Sequence, residues 1–109
     1  MDKRIEKIRD ILDDKKAEDI EIIDVRDKDY IVDYVVIATT LNPKHGIALL
    51  TYLKNDLKPM GEEFVRVEED DNWTICDLGD VFIHLMSEGH RKKYTIEDFL
   101  SQLNNRAES

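Results

Sequence analysis

The side chains with which this chain could do chemistry are three histidines, His45, His84 and His90, one cysteine, Cys76, one tryptophan, Trp73, and many carboxylates. A zinc site needs three or four such ligands converging on one point. Here the histidines fall on a helix start, a strand and a loop, so no metal site is expected. Cys76 and His84 could in principle make a nucleophile and its base, but Cys76 lies mid-strand on an apolar face, where burial raises a thiol's pKa and leaves it inert. We read it as core. The remaining candidate is the run Glu68-Glu69-Asp70-Asp71, which leads through Asn72 to Trp73. An aromatic anchor inside a charged rim is how interfaces are built; the alternative is a solvated hairpin loop next to a tryptophan that caps the core. Trp73 shares a strand face with Ile75 and Asp77, while Thr74, Cys76 and Leu78 on the other face can supply the core. That favours the anchor.

Composition narrows the partner. With 109 residues and 41% hydrophobic content the chain has enough apolar surface for one modest core, and we expect a single domain over residues 1–103 with a disordered polar tail at 104–109. A formal net charge of −9 disfavours a bare nucleic-acid backbone and favours a basic protein surface. A lone cysteine, no leader-like apolar stretch and no run long enough to span a bilayer point to a soluble protein of a reducing cytoplasm.

The elements that must position these residues read as follows. Residues 2–15 form a charged helix whose stripe, Ile5, Ile8, Ile11 and Leu12, docks on the domain's own sheet or pairs with a second copy. Residues 17–27 and 31–39 are strands, the second apolar enough for burial on both faces. Asn42-Pro43 opens a helix, the one as N-cap and the other at a position where its missing N–H has no partner. Its stripe is Leu49, Leu50, Leu53 and Leu57, and Lys58-Pro59-Met60-Gly61 ends it. Strands follow at 63–67, 72–78 and 81–86, the last apolar on both parities and therefore the centre of the sheet. Residues 87–93 read as a basic loop. A short capped helix from Thr95 then carries Ile96, Phe99, Leu100 and Leu103. The fold class is α/β: a single-domain, five-stranded mixed sheet with flanking helices.

The order Trp73, Asp77-x-Gly79-Asp80, an apolar strand carrying His84, then Arg91-x-x-Tyr94-x-x-Glu97 resembles the ribosomal silencing factor family, also called Iojap-like. Lys16-Ala17-Glu18-Asp19, Asp24-Val25-Arg26 and the segment from Asp33 to Ala38 extend the resemblance over nearly the whole chain, although Thr39-Thr40 stand where the family often has Ser then Gly. The resemblance implies a nucleotidyltransferase-like fold without the catalytic site, no cofactor, and docking on large-subunit ribosomal protein fourteen so that the small subunit cannot join and translation is silenced when nutrients are short. It also implies homodimers. A residual nucleotide-binding or nucleotidyltransferase domain is the alternative, but Asp77 and Asp80 diverge across a turn, and none of Asp19, Asp24 and Asp33 belongs to a carboxylate pair two residues apart beside a glycine-rich turn that could cradle phosphates, since Asp19 and Glu21 have no such turn. A purely structural dimer is a third reading. The partner-binding residues are expected to be Trp73, Asp77, Asp80, Tyr94 and Glu97, then His84, Arg91 and Glu69.

Overall fold

In a computed structural model, residues 3–27, 32–70 and 73–93 are described. The elements are α1 (Lys3–Asp14), β1 (Glu18–Asp24), β2 (Tyr34–Thr40), α2 (Pro43–Leu57), a short 3-10 turn (Lys58–Met60), β3 (Arg66–Asp70), β4 (Trp73–Asp77), β5 (Val81–Ser87) and α3 (Glu88–Lys93). The five strands lie in the order β1-β2-β5-β4-β3. Only β2 and β5 run parallel; the other neighbours are antiparallel, so the sheet is mixed and β5 is its central strand. Residues Val81 to Met86 and all of β2 are buried, as strands covered on both faces must be.

One face carries Tyr34, Val36 and Ala38 of β2, Val81, Ile83 and Leu85 of β5, and Cys76 of β4. Against it pack Ile5, Ile8, Ile11 and Leu12 of α1 and Leu49, Leu50, Leu53 and Leu57 of α2, so the α1 stripe docks on the domain's own sheet. On the opposite face Val35, Ile37, Phe82 and Met86 form a second cluster with Val25 and Val32, and Ile23 and Trp73 pack on it. The α2 start is built as its residues dictate. The Asn42 side chain accepts from the backbone N–H of His45 at 2.8 Å, and Pro43 fills the first turn. The 3-10 turn that follows α2 is closed by Gly61, whose φ of +94° is a left-handed conformation that a Cβ would strain.

Two elements differ from the sequence reading. The third strand is Arg66–Asp70 and not 63–67, so Glu68, Glu69 and Asp70 belong to an edge strand and not to a hairpin loop. The reason is that an edge strand takes its register from its partner: Asp70 pairs with Trp73 and Arg66 with Asp77, so the span of β4 sets that of β3 whatever its side chains. Residues 87–93, read as a basic loop, are the last residue of β5 followed by α3. Here Ser87 supplies the cap, its Oγ accepting from the backbone N–H of His90 at 3.1 Å, and Glu88 occupies the first turn. The helix expected from Thr95 and the tail at 104–109 lie outside the described residues.

Candidate functional site

The Trp73 end of the sheet gathers several of the expected residues. β4 begins at Trp73, which pairs across the ladder with Met86 near the end of β5, so its ring lies on the second apolar cluster beside the inward-facing His84. The two rings are stacked with centroids 6.5 Å apart, and the indole N–H reaches His84 Nδ1 at 3.5 Å, the far limit of a hydrogen bond. His90, brought over by α3, stacks on Trp73 at 5.7 Å, and Phe82 meets His84 edge-on at 6.2 Å. Trp73 is half-buried, its ring packed in this tier on the sheet face opposite α2, and the residue also borders a cleft of about 140 Å³ that opens on the α2 face. Glu69 and Asp70 of β3 line the same cleft, with Ile47 of α2 facing them.

Arg91 belongs to this end too, but its guanidinium is engaged within the fold. It donates to Thr39 Oγ1 at 2.9 Å and to the Asp19 carbonyl, and pairs with Glu21 at 2.9 Å. Its work here is to hold α3 against β1 and β2. Asp77 and Asp80 are at the opposite end of β4 from Trp73, around the turn into β5. Asp77 Oδ1 accepts from the Gly79 N–H at 2.8 Å and shapes that turn, where Gly79 has a φ of +94°. Asp80 is tied to Arg4 of α1 by two hydrogen bonds of 2.7 and 2.9 Å, and Arg4 makes two more, of 2.6 and 2.7 Å, with Glu62. Hydrogen bonds from Arg4 hold the Asp80 carboxyl below the usual range, and the hydrogen bonds it donates to Asp80 and then Glu62 raise the pKa of the guanidinium. The expected set thus divides into Trp73, His84, Glu69 and Arg91 at one end and Asp77 with Asp80 at the other. Tyr94 and Glu97 lie outside the described residues.

Cys76 is fully buried, and burial pushes its thiol up to about 12, so it is packing and not a nucleophile. Among the described residues no three His, Cys, Asp or Glu side chains converge where they could hold a metal ion, and no helix is long and apolar enough to cross a membrane.

With this arrangement in view, the comparisons with known proteins are decisive. Residues 1–108 match the family model described as ribosomal silencing factor during starvation. The chain belongs to the ribosomal silencing factor family. A relative named ribosomal silencing factor, from Halalkalibacterium halodurans, is 32% identical over 88 residues, covering 79% of this chain and 75% of that one. The mouse protein named mitochondrial assembly of ribosomal large subunit protein 1 is 31% identical over 98 residues, covering 85% of this chain and 43% of its own length. A crystal structure of a Chromobacterium violaceum protein superposes with a TM-score of 0.78 at 26% identity, covering 95% of this chain and 88% of that one. The family is named for a regulatory role in translation, and the mixed sheet with its flanking helices is its fold.

Against this background, sequence reasoning missed three residues. Arg4 looked like one more charge on a surface helix, and nothing local marks its partners at positions 62 and 80. His90 was counted only among possible metal ligands, since its ring contact depends on α3. Ser87 did carry a readable signal, a serine three residues before the N–H it caps.

Proposed function

We propose that this protein binds the large ribosomal subunit through large-subunit ribosomal protein fourteen, blocks association with the small subunit, and so represses translation under nutrient limitation. The observation that carries this reading is the family match over residues 1–108, and the mouse relative, whose name refers to assembly of the ribosomal large subunit, supports it. The physical chemistry agrees: a half-buried tryptophan beside the exposed carboxylates of β3 suits a basic protein and repels exposed phosphates. In this reading Trp73 and Glu69 touch the partner, together with Tyr94 and Glu97, while His84 and Arg91 hold the Trp73 end of the sheet in shape. Asp77 and Asp80 form the turn at the far end and make a second contact or none. The protein acts in the cytoplasm as a binding factor without catalysis, and a homodimer would compete for the same face.

Co-sedimentation with isolated subunits tests it. The protein should pellet with large subunits and not with small ones, and pre-incubation with large subunits should lower the yield of joined ribosomes in a gradient. Equal binding to both subunits, or undiminished joining at saturating protein, would overturn the reading.

A further inference from the structure

Trp73 opens β4 with only part of its surface covered, so something besides the strand has to set where its ring lies. Two imidazoles set it. His84, buried on the neighbouring strand β5, lies 6.5 Å from the indole at an interplanar angle of 26°, and its Nδ1 meets the indole N–H at 3.5 Å. His90 is nearer, at 5.7 Å and 22°, within the range of offset-stacked aromatic pairs. It reaches the indole only because α3 follows β5 directly. A helix of six residues is too short to persist alone, so α3 has to be held from outside. Ser87 Oγ accepts from the His90 backbone N–H at 3.1 Å, and Arg91, the next residue, is tied to Thr39 Oγ1 and to Glu21, each at 2.9 Å. Neither anchor uses the His90 imidazole. Docking of α3 therefore does not require that ring, and what the ring adds is a wall for the indole.

We propose that His90 is a positioning residue for large-subunit binding, its imidazole holding the Trp73 indole in the orientation that meets the partner. The inference rests on the ribosomal reading above and deepens it. A side chain already fixed in the free protein has no rotamer freedom left to lose on association, whereas freezing a mobile one weakens binding about two- to tenfold. That difference is what His90 supplies. Its replacement by alanine should not disturb the helix that carries it, because alanine is the best helix former and keeps the backbone N–H that Ser87 caps.

The test compares His90→Ala, which removes the ring, with His90→Phe, which keeps a flat one. Trp73 is the chain's only tryptophan, so indole fluorescence reports that ring alone. Acrylamide quenching of the indole, binding to isolated large subunits and thermal unfolding are measured for both variants and the wild type. His90→Ala should stay folded at the temperature of the binding measurement, show a raised quenching constant, and bind about two- to tenfold more weakly. His90→Phe should restore both quenching and binding. Wild-type binding by His90→Ala, whatever its quenching, would overturn the positioning role and leave the ribosomal reading standing. Weaker binding without a change in quenching, or weaker binding that His90→Phe does not restore, would also overturn it, since the imidazole would then be touching the partner itself. Loss of folding in His90→Ala would make His90 a structural residue and overturn the role too. Failure of the wild type to bind large subunits would remove both readings.

Discussion

Trp73 stands at the boundary between core and surface. Its contacts with the Phe82 and Met86 cluster and with the imidazoles of His84 and His90 are internal, while part of the residue stays exposed. A fully buried tryptophan truncated to alanine costs about 3–5 kcal/mol, and a half-buried one should cost about half of that. Loss of an interface anchor costs roughly 2–4 kcal/mol of binding. We therefore expect Trp73→Ala to lower folding stability by about 2 kcal/mol and to lower large-subunit binding by more than unfolding explains. Urea denaturation and co-sedimentation of the same variant separate the two. A stability loss of about 4 kcal/mol, with binding falling only in step with the unfolded fraction, would make Trp73 a core residue alone.

At the scale of elements, two arginines fasten helices to the sheet, Arg91 for α3 and Arg4 for α1. Arg4 bridges Glu62, whose side chain is 13% exposed, and Asp80, whose side chain is 47% exposed, so solvent screens the second arm more than the first. After that discount Arg4→Met should cost roughly 1–2 kcal/mol of folding stability. The sign of its pH dependence follows from Asp80, whose folded-state pKa is depressed. Such a group adds stability that is fully present above its unfolded value, about 3.9, and is lost as pH falls through the lower folded value. The gap in urea midpoint between wild type and Arg4→Met should be full at pH 7 and narrow as pH falls below about 4, with the Glu62 arm keeping part of it; a gap unchanged at pH 3 would show that Asp80 contributes nothing. The same bridge shows what sequence could and could not disclose. The stripes of α1 and α2, the Asn42 cap, the two-sided burial of β2 and β5 and the inert Cys76 were legible because each follows from local period or composition. The Arg4 bridge joins positions 76 residues apart, and the span of β3 is set by the ladder to β4, so neither leaves a local trace. For the same reason the candidate site was only half legible: Trp73 and Asp77 share a strand face, but the length of β4 puts them at opposite ends of the sheet.

For the whole molecule the governing quantity is its charge. A net charge of −9 on 109 residues creates a field that a basic partner feels before contact, which raises the association rate more than the final affinity. That field is cut off over the Debye length, about 10 Å at 0.1 M salt. The contact itself is different in kind, because the partly exposed Trp73 and the exposed Ile47 at this end of the sheet are apolar and act at close range. Salt should therefore act mainly on arrival and little on departure. Between about 50 and 300 mM salt, a range that carries the Debye length from above to below 10 Å, the association rate constant for large subunits should fall several-fold while the dissociation rate constant changes less than twofold. Stopped-flow measurement with labelled protein reads both. An association rate flat across that range would mean the acidic surface does not steer the encounter, and a dissociation rate rising in proportion to salt would mean that ion pairs rather than apolar contacts hold the complex together.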